Sequence, residues 1–175
     1  MTGGDLVSAD YPHLPSTLVQ SLAARSLEDA TRVRVERARA LFLRGLTYGA
    51  EGDFDAAIAD YTSIIEIYGD DPDPEMRLQV ARALDIRGRS HSVQVDLAAA
   101  IADFTSIIET YSDDTDPEMR HLVAETLNSR GYGHRVQDDL DAAVADYTSI
   151  IETYSDDTDP EMREIVAMAR ERRGY

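Results

Sequence analysis

Apolar residues in DLAAAIADFTSIIETY recur at spacings of three and four, which places Leu97, Ile101, Phe104, Ile108 and Tyr111 on one side of a helix. The segment PEMRLQVARALDIRGRSHSV does the same with Met76, Val80, Ala83, Leu84 and Ile86. Short polar breaks separate such stretches. All six prolines fall in those breaks or within the first fifteen residues, where a helical chain must place them. The pattern predicts an all-α chain of antiparallel helix pairs joined by short turns.

The pattern is also periodic. TSIIETYSDDTDPEMR runs from Thr105 to Arg120 and returns unchanged from Thr148 to Arg163, which sets a period of 43 residues. Asp53, Asp96 and Asp139 correspond, as do Pro74, Pro117 and Pro160, and the Arg-Gly pairs ending at Gly45, Gly88, Gly131 and Gly174. A fixed period of this size marks stacked supersecondary units, each with an apolar face that its neighbour covers. We divide the chain into a flexible tail (1–15) and one helical repeat domain (16–175). Its repeats are assigned to 31–73, 74–116 and 117–159, with a C-terminal capping helix at 160–175. At the other end, STLVQSLAAR (16–25) is expected to form a short leading helix over the open end. The long helix after it is expected to start at a capping box of Ser26 and Asp29.

Two features of the repeat call for a physical reading. In DDTDPE, Asp116 precedes Pro117, where a carboxylate caps free N–H groups, proline suits the first helical position, and Glu118 meets the positive end of the helix dipole. A calcium loop would require a glycine turn and a distal bidentate glutamate, and this spacing lacks both. The phrase is therefore read as a capping connector. Gly88 and Gly131 lie within helices, where glycine costs about 1 kcal/mol relative to alanine. Close approach of a second helix is the expected compensation, with Ala57, Ala100 and Ala143 as the residues that receive it.

Leu41, Arg44, Gly45, Tyr48, Ala57 and Tyr61 follow a spacing that recurs as Leu84, Arg87, Gly88, His91, Ala100 and Phe104, and again as Leu127, Arg130, Gly131, His134, Ala143 and Tyr147. This resembles the tetratricopeptide repeat, over about residues 38–175. The chain departs from the pattern in its leucine for the large aromatic, its arginine before glycine, its histidines for tyrosine, and a period longer than the usual one of about 34. The resemblance implies a right-handed α-solenoid of about three repeats plus terminal capping helices, with a concave groove that binds protein segments.

Charge narrows the partners. Thirty-four acids oppose seventeen bases, all of them arginine, for a net charge of −17. Residues 1–52 are balanced, with six acids and six arginines, so the excess lies in the remainder. Such a field repels nucleic acid and anionic membranes. The chain lacks cysteine, a signal-peptide pattern and any apolar run of membrane-spanning length, which favours a cytoplasmic location.

No catalytic motif accompanies His13, His91, His121 and His134, and Ser63, Ser106 and Ser149 read as helix residues without a base. No enzyme, cofactor or metal site is expected. Carried over by the resemblance, the groove is lined by Arg39, Phe42 and Leu46, then Arg82, Asp85 and Arg89, then Asn128, Tyr132 and Arg135. This row is rich in arginine, which grips carboxylates in a fork. The function expected is a protein-interaction scaffold that binds a segment bearing acidic groups, with an apolar anchor near Phe42 and Leu46. Against that stands pairing of these arginines with the chain's own acids. Two other classes stay open: a structural module that self-associates through its repeat ends, and a regulatory fragment of a larger protein.

Overall fold

The computed structural model describes residues 16–174. Among them are seven helices and no strand: α1 (Ser16–Glu51), α2 (Phe54–Tyr68), α3 (Pro74–Val93), α4 (Leu97–Tyr111), α5 (Pro117–Val136), α6 (Leu140–Tyr154) and α7 (Pro160–Arg173). Pairs α1–α2, α3–α4 and α5–α6 are hairpins, and each second helix packs on the first helix that follows. First helices also touch one another, α1 on α3, α3 on α5 and α5 on α7, whereas among the described residues the second helices do not. The first helices therefore line the inner side of the stack. This is the expected all-α solenoid.

One expectation at the N-terminal end is overturned. Residues 16–25 do not form a separate leading helix, because α1 runs without a break from Ser16 to Glu51. Neither glycine nor proline occurs between Ser16 and Arg44, so nothing in the sequence interrupts it. Asp29, expected to help cap a new helix, instead pairs with Arg32 at 3.0 Å. The 1–15 tail and Tyr175 lie outside the described residues.

The connectors work as caps and as ties. Asp116 accepts hydrogen bonds from the N–H groups of Glu118 (2.9 Å) and Met119 (3.1 Å), and Asp73 and Asp159 cap α3 and α7 in the same way. Asp53, Asp96 and Asp139 cap the second helices through the N–H groups of Ala56, Ala99 and Ala142. A second aspartate of the phrase reaches back to the first helix of its own unit. Asp71, Asp114 and Asp157 each brace the connector by accepting the N–H two residues on. They then pair with Arg34, Arg77 and Arg120, each at 3.0 Å. Arg77 and Arg120 also lie over the rings of Tyr111 and Tyr154, 5.3 and 5.5 Å from the centroids.

Acid in these connectors has a pH signature. The N–H of Asp159 holds the Asp157 carboxyl below the ordinary carboxylate value, with burial opposing and Arg120 adding to the lowering. A depressed pKa contributes stability that is present above the unfolded value of about 3.9 and is lost as pH falls through the folded one. Asp157→Asn is thus expected to be less stable than the parent at neutral pH. In denaturant titrations the gap should close as pH falls below about 4.

The second helices bury a stripe rotated from the expected one. Ile107 is fully buried and Asp103 is 6% exposed, while Ile101 and Ile108 are half-buried. A purely apolar reading misses Asp103, which enters the interior because an arginine goes with it. Arg87 donates from Nε to Asp103 Oδ2 (2.9 Å) and from Nη2 to Oδ1 (2.6 Å), and its Nη1 reaches Thr62 on α2 at 2.9 Å. Arg130 repeats this with Asp146 (3.1 and 2.6 Å) and with Thr105 on α4 (3.1 Å). Arg44 grips Asp60 (2.7 and 2.6 Å) in the first hairpin, and among the described residues no second helix precedes it. One arginine per unit thus joins a first helix to its own second helix and to the one before. None of the described helices is both long and apolar enough to cross a membrane.

The partners of the helix glycines also differ from those expected. An added Cβ would lie 2.7 Å from Tyr61 Cε1 at Gly45, 2.7 Å from Phe104 Cε1 at Gly88, and 2.9 Å from Tyr147 Cε1 at Gly131. The close contact is therefore with the aromatic ring and not with Ala57, Ala100 or Ala143. In an antiparallel hairpin, residues equally far from the turn face each other, and Gly45 and Tyr61 are equally far from Asp53. Gly49, by contrast, has open space where its Cβ would be. Gly49→Ala should gain about 1 kcal/mol from helix propensity. Gly88→Ala should lose about 1 kcal/mol, because overpacking against buried Phe104 costs about 1–3 kcal/mol and outweighs the same gain. Chemical denaturation of the two variants checks the opposite signs.

Candidate functional site: the inner face of the first helices

The row expected to line a groove lies on α1, α3 and α5, and most of its polar members are engaged across the seams between first helices. Arg39 donates to Glu75 of α3 at 3.2 Å and to Glu36 at the same distance. Arg82 donates to Glu118 of α5. Arg89 holds Asp85 at 2.8 Å and stands 3.6 Å from Glu125 of α5. Asn128 accepts a bond from Arg172 of α7 at 2.9 Å, and His121 lies 3.6 Å from Glu161 of α7. The arginines on α1 and α3 are thus paired with the chain's own carboxylates, as weighed against the acid-binding reading. Glu118 was read in the sequence only as an acid at a helix N-terminus, and Glu75 and Glu125 went unassigned. Their signal was the constant offset of 36 residues from Arg39, Arg82 and Arg89.

The apolar members divide. Phe42 turns into the hairpin, its ring 5.6 Å from that of Tyr61 at 55°. Leu46 stays exposed at 41% and Tyr132 at 51%. Arg135 lies over the Tyr132 ring, 5.8 Å from its centroid, and has no carboxylate partner among the described residues. The structure therefore leaves Leu46, Tyr132 and Arg135 as the members of the row open to an incoming chain.

A model of the tetratricopeptide-repeat family matches residues 21–72, the span of the first hairpin and its connector. Residues 21–72 carry a tetratricopeptide repeat. The later hairpins repeat the leucine, arginine, glycine and alanine of the first at the same offsets, with helices that begin at Leu97 and Leu140 as α2 begins at Phe54. No curated protein matches the chain. Tetratricopeptide repeats generally mediate protein–protein interaction, and the family is typically a non-catalytic scaffold. Ser63, Ser106 and Ser149 donate to the carbonyls four residues back, as helix residues do. His134 is mostly buried, with Nδ1 3.9 Å from Asp139 and no hydrogen-bond partner. Among the described residues no three His, Cys, Asp or Glu side chains converge as metal ligands would.

Asp85 is the strained member of the row. It is 4% exposed, and its Oδ1 has no hydrogen-bond partner. Burial pushes its carboxyl above the ordinary value, Arg89 opposes that shift, and the charge of Glu125 adds to it. Because the folded carboxyl binds its proton more tightly than the unfolded one, its contribution to stability is full below about 3.9 and declines as pH rises through the raised folded value. Removing Arg89 leaves a buried anion without its counter-charge. Arg89→Ala should cost about 2 kcal/mol at pH 7, less than for a fully buried pair because Arg89 is half-exposed and screened. The loss should shrink at pH 4, where Asp85 takes up a proton; denaturant titrations at the two pH values check both.

Proposed function

We propose that this tetratricopeptide array is a non-enzymatic scaffold whose inner face binds a protein segment carrying an apolar side chain and acidic groups. The observation that carries the reading is the exposed Tyr132 with Arg135 stacked on it, on the row of first helices that also presents Leu46. Tyrosine and arginine are favoured interface anchors, and an arginine without an acid partner takes a carboxylate at no cost to the fold. Arg39, Arg82 and Arg89 would have to exchange an internal acid for one on the partner. Affinity therefore rests on Arg135 and is sensitive to salt. The field of a −17 chain favours approach of a segment whose acids are few and flanked by apolar residues.

A peptide-display library panned on the intact chain tests this. Recovered segments should share an acidic residue near an apolar one. Their affinity should fall at least tenfold on Tyr132→Ala/Arg135→Ala, with circular dichroism unchanged. Equal affinity for the double variant would remove the inner face from consideration. A second reading, self-association through a repeat end, is favoured by the exposed Leu22 (49%) and Leu27 (68%) on the first half of α1. A mass that rises with concentration and reverts on Leu22→Glu/Leu27→Glu would support it.

A further inference from the structure

On the inner face the third hairpin departs from the second. Where α3 meets α5, Arg89 holds Asp85 at 2.8 Å and stands 3.6 Å from Glu125, with Ser129 four residues further along α5. One period later, where α5 meets α7, the same four positions hold Asn128, Tyr132, Met168 and Arg172. Both carboxylates are gone. An arginine replaces the serine, and Arg135 stands where α3 has Ser92. Arg172 donates to Asn128 Oδ1 at 2.9 Å, and Arg135 lies over the Tyr132 ring. Neither arginine has an acid partner among the described residues.

A buried hydroxyl lies at the same place. The Tyr147 ring crosses α5 at Gly131, where an added Cβ would lie 2.9 Å from Cε1 and 3.0 Å from Cζ. Gly131 is three residues after Asn128 and four before Arg135, so the hydroxyl end of the ring reaches the helix face that those two share. Tyr147 is 1% exposed, and its Oη has no well-formed hydrogen bond. Burial raises the phenol's pKa, whereas the charges of Arg172 and Arg135, with a weak hydrogen bond from Arg172, lower it. Both guanidinium groups therefore stand within electrostatic reach of one oxygen. Asn128 accepts through Oδ1, which leaves its amide N–H groups to donate. The seam gathers two cations without acids, neutral donors, and the exposed side chains of Tyr132 and Met168.

We infer that the seam between α5 and α7 takes a phosphorylated side chain of the bound segment, its phosphoryl group held between Arg135 and Arg172. A carboxylate would neutralise one guanidinium. A phosphate monoester carries about −1.5 to −2 at pH 7 and offers three acceptor oxygens, which matches two arginines. Guanidinium forks suit such a group in geometry as well as in charge. The seam between α3 and α5 opposes it, because Asp85 and Glu125 present like charge there. One unit of the array is thus set apart from its neighbour, and the phosphoryl group fixes the register of the segment along the inner face. This rests on the inner face as the binding surface and adds what one place on it recognises.

The test is isothermal titration calorimetry of the whole chain with a capped pentapeptide that carries phosphoserine between leucines. It should bind at least tenfold more tightly than its serine form, its aspartate form and inorganic phosphate. Arg172→Gln should weaken it at least tenfold, with circular dichroism unchanged. Asn128→Asp, which restores the acid of the neighbouring unit and keeps both arginines, should do the same. A phosphopeptide no tighter than its serine form, or an affinity that both variants leave unchanged, would overturn the inference. Equal binding of the aspartate form would make the seam a carboxylate site, and equal binding of inorganic phosphate a site for the free ion; either result also overturns it. Display-selected segments that depend on Tyr132 and Arg135 but not on Arg172, with no preference for phosphoserine, would sink the phosphoryl assignment and leave the inner-face reading standing.

Discussion

The stack depends on one arginine per hairpin meeting one buried aspartate. Asp60, Asp103 and Asp146 are each no more than 6% exposed, so each carboxylate needs a counter-charge and directed hydrogen bonds in the interior. Arg44, Arg87 and Arg130 supply both as two-pronged forks. Near-identical apolar faces tolerate sliding by a turn, but a fork on a buried carboxylate fits one register only. The third prong, onto Thr62 or Thr105, carries that register from one unit to the next. Ion pairs of this kind contribute little net stability for their desolvation, and their value lies in specifying one arrangement among near-equals.

The same device explains how so acidic a chain packs at all. Its connectors put Asp71, Asp114 and Asp157 against arginines of the first helices, and its inner seams put Glu75, Glu118 and Glu125 against three more. Arginine, present without any lysine, is consumed in joining units, and the uncompensated acids are left at the surface. At the two ends of the described stack these arginines are more exposed. Arg44 is 58% exposed at the first helix, against 18% for its counterparts in the interior, and Arg163 is open at the last. On the inner face most charges are already satisfied, whereas Arg163 and Arg173 on α7 have no acid partner among the described residues.

Helix pairs, caps and the connector were legible because their causes are local: an apolar spacing, an aspartate before a proline, a glycine kept in every copy. The apparent departure from the repeat pattern, arginine before glycine, was also plain in the letters, but its role as the joining group was not. Phe42 illustrates the limit on the candidate site. Its position along α1 suits the groove, yet its ring turns to Tyr61, and Leu46, Tyr132 and Arg135 are the exposed members without an internal ion pair among the described residues. The unbroken α1 is the reverse case, since no glycine or proline marked a stop and the supposed cap at Ser26 had no helix end to serve.

By itself the sequence determined the helix pairs and, after α1, where each helix begins, because these follow from neighbours along the chain. Tertiary structure decided which residues meet between helices: ring against glycine, arginine against aspartate, and glutamate against the arginine of the previous unit. Those contacts join residues 16, 25 or 36 places apart, and a rotation of one helix about its axis changes every one of them. Spacing alone places a side chain on a helix face, while the partner it meets depends on distances of a few ångströms between helices.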